Sequence, residues 1–309
     1  MQPDPNKSLA GGIATAAAVS SSLIFLGTGY STALPDTRCL VRPSTPSCAV
    51  CSTALSLPPD RNPNYRLNSS LLIDYCLDDG THKYILIDVG KTFREQVLRW
   101  FVHHNVHSID SMRQLRGFCA MQIILTHEHA DAVLGLDEVW VVQPGSDRND
   151  AEQIPIFLTQ FTKDSVAARF PYLMERKPED GDEDARAVQL DWKIIEGAVD
   201  NPFVSSGLQF VPLPSLPASI SKSGAGQLDL LILEANILHG VGGGHRKNHF
   251  TLHESLDAIK RICPKRAVLI GMNHEFEHHR ENWMVAEWSH REGIPVQLAH
   301  DGLRIFIDL

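Results

Sequence analysis

The stretch Met121 to Val139, MQIILTHEHADAVLGLDEV, constrains the fold of this chain more than any other. Met121 to Leu125 form an apolar, isoleucine-rich run that reads as a buried strand, and Thr126 ends it. His127, Glu128, His129, Ala130 and Asp131 then place two imidazoles and a carboxylate within five residues. Residues 132–139 carry the spacing of a short helix, with Gly135 tolerated inside it. Two histidines at i and i+2 on an extended or turning backbone can reach one metal, and a carboxylate at i+4 can bind that ion or one beside it. Zinc takes nitrogen and oxygen ligands at about 2.0–2.2 Å, so such a cluster at a strand terminus suits a hydrolytic metal. A solvated polar turn is the simpler reading of H-x-H-x-D alone. The apolar strand before it and Gly-Leu-Asp after it favour the metal.

Length and composition bound the rest. A chain of 309 residues with 43% hydrophobic and 21% charged content is an ordinary globular α/β candidate. Its net charge of −9 and pI near 5.9 argue against an electrostatic nucleic-acid surface. No run of about 18 apolar residues exists, so no membrane span is expected. Residues 1–20, rich in Ala, Gly and Ser, are expected to form a disordered leader, with organelle targeting the lesser alternative, and residues 21–309 one domain. Six cysteines in so long a chain do not describe a secreted disulfide scaffold, and a cytoplasmic location is expected. Fifteen histidines, gathered at 103–107, 127–129, 239–253 and 274–279, favour metal chemistry.

Strands and helices alternate along the chain. Ser22 to Leu26 reads as a strand leading into Gly27-Thr28-Gly29, more simply a tight turn than a phosphate cradle. Asn68 to Cys76 and Lys83 to Asp88 read as paired strands, and Phe93, Val97, Trp100 and Phe101 as the core stripe of a helix. Strands are predicted at 154–158, 188–195, 208–211, 228–233 and 266–271, helices at 159–175 and 251–262, and within 298–308 a turn at Asp301-Gly302 and a last strand. The acidic run at 179–184 is most simply a solvated loop, and the Asn68 sequon is incidental.

The proline-rich loop up to Leu67 is too long to order itself without a staple. Cys48-x-x-Cys51 has a zinc-knuckle spacing, and Cys39 offers a third thiolate. Cys76, Cys119 and Cys263 sit in apolar contexts and are expected to be core thiols. His274 follows the 266–271 strand as His127 and His129 follow theirs, and is a further candidate metal ligand. His253 is expected on the surface of the 251–262 helix.

The T-H-x-H-x-D pattern resembles the signature of the metallo-β-lactamase superfamily, T-H-x-H-x-D-H, with Ala132 in place of the last histidine. Within it, HEHADAVLGLDE resembles the eukaryotic branch related to phosphoribosyl cyclic phosphate phosphodiesterases, and the likeness covers about Ser22 to Leu309. It implies an α/β fold, the four-layer αββα sandwich, and hydrolysis of a small phosphodiester assisted by zinc or manganese. His127 and His129 would hold a first ion, Asp131 and His274 a second, and Asp88 would support the ligands. Asp131 and His249, the latter aligned with a histidine facing the substrate phosphate, would be the catalytic residues. Bacterial relatives hold a structural zinc with three cysteines of this loop and a histidine beyond the late metal ligand, which implies Cys39, Cys48, Cys51 and His278 here. The chain departs from the pattern between Pro214 and Ser215, where a His-Gly element and an ion-bridging Asp are missing. A catalytically impaired, zinc-stapled binding protein is therefore the alternative to a working hydrolase.

Overall fold

The central strands alternate between two buried faces, and that alternation dictates the layering. In the computed structural model, residues 20–106, 121–143, 153–174, 190–198, 200–213, 222–240 and 249–308 are described. Along them run β1 (Ser21–Gly27), α1 (Thr37–Val41), α2 (Ala49–Ala54), β2 (Ser70–Cys76), β3 (His82–Ile87), α3 (Phe93–Gln96), β4 (Gln122–Ile124), α4 (Ala130–Val133), β5 (Ile154–Leu158) and α5 (Gln160–Arg169). There follow β6 (Leu190–Ile194), β7 (Phe203–Ser205), β8 (Leu208–Phe210), β9 (Leu231–Glu234), α6 (Leu252–Ile262), β10 (Ala267–Ile270), α7 (His278–Glu292), β11 (Val296–Leu298) and β12 (Arg304–Ile307).

Among these residues one sheet has the order β12-β1-β2-β3-β4-β5-β6 and a second the order β11-β10-β9, while β7 and β8 form a hairpin. On one face of the large sheet, Ile24, Leu72, Leu86, Ile123 and Ile156 pack with Phe93, Trp100, Val133 and Val166 of the helical layer. Their sequence neighbours Leu23, Ile73, Ile85 and Ile124 point the other way, onto Leu230 and Ile232, and Phe25 packs with Val268. On the far side of the small sheet, Ala267 and Leu269 pack with Leu252, Ile259 and Val285. Helices, sheet, sheet and helices are the four layers of the expected αββα sandwich, the central strands β1 to β4 and β10 burying both faces as their period of two allows.

Several boundaries differ from expectation for local reasons. The helix expected at 132–139 is split at Gly135 into α4 and a 3-10 turn at Leu136–Val142. Gly135 N–H donates to Val89 O (2.9 Å), and a Cβ there would lie 2.3 Å from Gly90 O, so docking on the 88–90 loop breaks the helix. The helix expected to reach 175 ends at Arg169, because the Phe170-Pro171 step disfavours helical backbone at Phe170. β9 starts at Leu231 and is half-buried, not the fully buried strand expected at 228–233, because it is the last strand of its sheet among the described residues.

Cys76 ends β2, half-buried and not the core thiol expected; Cys263 caps α6 at φ 54°, half-buried but packed against the core of the small sheet, and Cys119 lies outside the described residues. His253 is exposed beside Asp257, as expected. No described helix is long and apolar enough to cross a membrane. Residues 1–19 of the leader expected at 1–20, the acidic run at 179–184 and the step from Pro214 to Ser215 also lie outside the described residues.

Candidate metal centres

Strand direction gathers the chemistry at one end of the sandwich. β1 and β3 are both antiparallel to β2 and so run the same way, β4 is parallel to β3, and β9 is parallel to β10. Beyond β1 and β10, Gly29 pairs in parallel with Met272, and Gly271 N–H donates to Thr28 O (2.9 Å). Gly27–Gly29, Asp88, His127–Asp131, Glu234 and Met272–His274 therefore all follow strand C-termini on one side.

His127, His129 and Asp131 each bring a ligand atom into a cluster within 4.8 Å, and the two imidazole rings stand 4.9 Å apart. His129 is the N-cap of α4 with extended backbone, and Asp131 lies in the first turn of that helix. Asp88, at φ 61°, accepts from Thr126 N–H (2.8 Å) and Thr126 Oγ1 (2.6 Å). Because the Thr126 hydroxyl proton goes to Asp88, its oxygen can only accept from His127 Nδ1 (2.8 Å). Nε2 of His127 then keeps its lone pair for an ion, the indirect orientation that metal-binding histidines use. Burial raises the Asp88 carboxyl to about 6, with the bonds from Thr126 pulling it back, so the carboxylate this chain of bonds requires prevails above that pH.

The loop carrying Asp88 leaves no room for a side chain. A Cβ on Gly90 would lie 2.0 Å from Asp131 O, while Val89 N–H donates to Ala132 O (2.7 Å). Gly90→Ala is expected to cost about 1–3 kcal/mol by overpacking and to lower ion content at this cluster alone, as urea unfolding with elemental analysis will show. Ala132 is fully buried in the core, so the position where the resembling pattern has a histidine faces away from solvent.

A second cluster joins Cys39, Cys48, Cys51 and His274, again within 4.8 Å. Cys39 Sγ lies 3.1 Å and Cys48 Sγ 3.5 Å from His274 Nδ1, and Asp36 N–H donates to Cys51 Sγ (3.3 Å). Burial pushes the Cys51 and Cys39 thiols up, so thiolates there need a cation. Three sulfurs and one imidazole nitrogen fit tetrahedral zinc.

The residue closing this set is His274, which corrects the expectation for His278 and also for His274 as partner of Asp131. After β10 the backbone turns at Gly271 (φ 75°), and Asn273 Oδ1 accepts from Glu275 N–H (2.8 Å). Buried Arg66 donates to Asn273 O (3.4 Å) and Phe276 O (3.1 Å), clamping this turn against the cysteine loop.

His278 instead opens α7, 5% exposed, with its ring against His279 and His300 and no partner for Nδ1. Burial first, then the Arg66 charge, pushes it down to about 3. The neutral ring is fully compatible with the fold above the ordinary value of 6.5. As pH falls from there toward 3, the unfolded chain gains a proton the folded one refuses, and stability drops. Between pH 7 and 5 this amounts to about 2 kcal/mol. His278→Gln is expected to remove that share of the pH dependence in urea titrations at the two pH values.

His249 Nδ1 lies 2.5 Å from Glu234 Oε1, both half-exposed. Sequence reading missed Glu234 as its partner. It also missed Asp301, which accepts from Thr28 N–H and Oγ1 and from Leu67 N–H. The only signal for Asp301 was a turn-forming Asp-Gly.

No family model matches the chain. An octanoyltransferase of Porphyromonas gingivalis is 27% identical over 305 residues, covering 92% of this chain and 51% of that protein. The chain thus spans about half the length of the curated relative it matches. Among solved structures, a diphosphatase of the PhnP family is 25% identical with a TM-score of 0.64, covering 94% of this chain and 98% of that one. Zinc-bound PqqB from Methylobacterium extorquens is 17% identical (TM-score 0.56; 93% and 100% covered), and the metallo-β-lactamase fold protein YhfI from Bacillus subtilis 13% (0.54; 93% and 100%). The layering is thus the metallo-β-lactamase fold of these structures. The chain has the metallo-β-lactamase fold, and its likeness to the PhnP-family diphosphatase fits the phosphodiesterase-like branch of that superfamily.

Proposed function

We propose that the protein is a metal-dependent hydrolase of a small phosphodiester or diphosphate. The observation that carries this reading is the convergence of His127, His129 and Asp131 within 4.8 Å, with His127 oriented through Thr126 by Asp88. A divalent ion held there, zinc or manganese, would act as a Lewis acid on a phosphoryl oxygen. The chain's own groups do the rest: Asp131 and the two imidazoles hold the ion, and His249 exchanges a proton with an ester oxygen. The PhnP-family likeness supports phosphorus chemistry, and the net charge of −9 favours a small substrate over a nucleic acid. Zinc-bound thiols suit a reducing compartment such as the cytoplasm.

One observation favours a second reading, a zinc-stapled binding protein. His274 is engaged by the thiols and Ala132 is in the core, so neither serves a second catalytic ion. The two readings separate on a chelation test. Dialysis against a mild chelator should remove ions from the exposed His127 cluster and abolish hydrolysis of bis(p-nitrophenyl) phosphate, and manganese or zinc should restore it. An ion-loaded protein without measurable hydrolysis would favour the binding protein. Parallel cleavage of p-nitrophenyl octanoate would instead point to acyl chemistry, the kind named for the P. gingivalis relative.

A further inference from the structure

We propose that β12 is a self-complementary open edge through which two copies of this chain pair, strand to strand, about a two-fold axis at Phe306. Such pairing does not depend on the reaction proposed above. β12 is the last strand of the large sheet on its side among the described residues. A strand in that place presents a row of backbone N–H and C=O groups to whatever lies beside it.

The ladder to β1 shows which groups form that row. Phe25 N–H donates to Leu303 O (2.9 Å), and Gly302 N–H donates to Phe25 O (2.7 Å). Phe25 therefore turns both its backbone groups toward β12, and by the period of two so do Leu23 and Ser21, which face Ile305 and Ile307. The N–H and C=O groups of Ile305 and Ile307 are thus engaged with β1. Those of Arg304, Phe306 and Asp308 point the other way, out of the sheet.

The residues of the strand name the partner. Arg304-Ile305-Phe306-Ile307-Asp308 has the same pattern read from either end, with its charges exchanged. Laid antiparallel on a second copy with Phe306 facing Phe306, it puts Arg304 opposite Asp308 at both ends and Ile305 beside Ile307. Only outward-pointing residues then face each other as hydrogen-bonded pairs. A slip of one residue sets open groups against engaged ones, and a slip of two loses both charge pairs. Phe306 is 61% exposed and gains its own copy as an aromatic neighbour. Arg304 lies over that ring (5.1 Å) and donates through Nε to Ser22 Oγ (2.9 Å) and through Nη2 to Asp74 Oδ2 (2.7 Å), so its rotamer is set before association. β6, the other edge of the sheet, is also symmetric in pattern. There, however, Lys193 pairs with Asp191 of its own strand (2.6 Å), and Trp192 packs on its own core. A strand of 4 residues makes a small interface, in the class of transient complexes, so the association is weak and concentration-dependent.

The experiment uses the full-length chain, with sedimentation over about a 100-fold range of protein concentration and residue-resolved amide exchange at both ends of that range. The average mass should rise toward that of a dimer. The amide protons of Arg304, Phe306 and Asp308 should gain protection in step with the dimer, while those of Ile305 and Ile307 are protected throughout. Asp308→Lys sets like charges opposite each other at both ends and should raise the dissociation constant about 10-fold or more. Phe306→Pro removes an N–H that points outward, so it should keep the ladder to β1 and abolish association. Phe306→Cys should give a covalent dimer on mild oxidation, because the Cα atoms of a hydrogen-bonded pair lie about 5.5 Å apart. The parent chain and Asp308→Cys should not.

A mass that stays monomeric across the range would overturn the proposal. So would a dimer whose protection appears at Trp192 and Ile194 of β6, or one indifferent to both Asp308→Lys and Phe306→Pro. Equal cross-linking of Phe306→Cys and Asp308→Cys would overturn the two-fold axis at Phe306.

Discussion

Replacing Cys51 with serine is expected to remove one tightly held ion per chain and to cost more than about 4 kcal/mol, lowering Tm by about 10 °C. The helices of the loop it staples bury little: α1 has no buried residue, and α2 buries only Val50, Cys51 and Ala54. Thiolate sites with a histidine contribute folding energy outright, because the unfolded chain does not preform them. Removing a ligand also leaves the half-buried Cys39 and Cys48 with His274 as an incomplete set around the ion. His274→Ala should behave in the same way, since its Nδ1 sits 3.1 Å from Cys39 Sγ. His278→Ala should keep the ion. Elemental analysis beside thermal unfolding decides this, and an ion lost from His278→Ala but kept in His274→Ala would reverse the assignment.

The second large effect is on turnover. His129→Ala is expected to lower hydrolysis about 10³-fold or more, an increase of about 4 kcal/mol in the barrier, while Tm stays within a few degrees. Its side chain is 69% exposed, so little packing is lost. In the proposed hydrolase it would hold an ion whose position relative to phosphorus must be fixed for in-line attack. Thr126→Val should fall between, about 10- to 100-fold, because it leaves all three ligands but cuts the link from Asp88 to His127. Steady-state kinetics at saturating manganese and at saturating zinc would check both. Equal activity in Thr126→Val would show that His127 needs no such support.

Much of the layering was legible because it rests on apolar period. Leu23–Leu26, Leu72–Ile73, Ile85–Leu86 and Ile123–Leu125 are apolar at adjacent positions, which only a strand buried on both faces explains. α6 was legible from its Thr251–Glu254 cap. α7 was not, because its buried positions His278, Glu281 and Val285 are largely polar. The H-x-H-x-D cluster is local in sequence and could be read directly. The fourth partner of the cysteines could not: whether His274 or His278 faces them depends on Gly271, Asn273 and Arg66, which set where the chain turns. The Glu234–His249 pair was hidden for a similar reason. Its partners lie fifteen positions apart, and an acidic residue ending a strand has no signature of its own.

The place of β1 between β2 and β12 has a consequence for how the protein is made. One of its two ladders runs to Arg304–Ile307, and Thr28 is anchored by Asp301, 273 positions away. While a ribosome is still adding the second half, the strand that leads into the Gly-Thr-Gly turn has one bare edge, a template for pairing with other nascent chains. Closure of the large sheet is therefore a late event of high contact order. Chaperone demand during synthesis should fall sharply once residues 301–307 have cleared the exit tunnel.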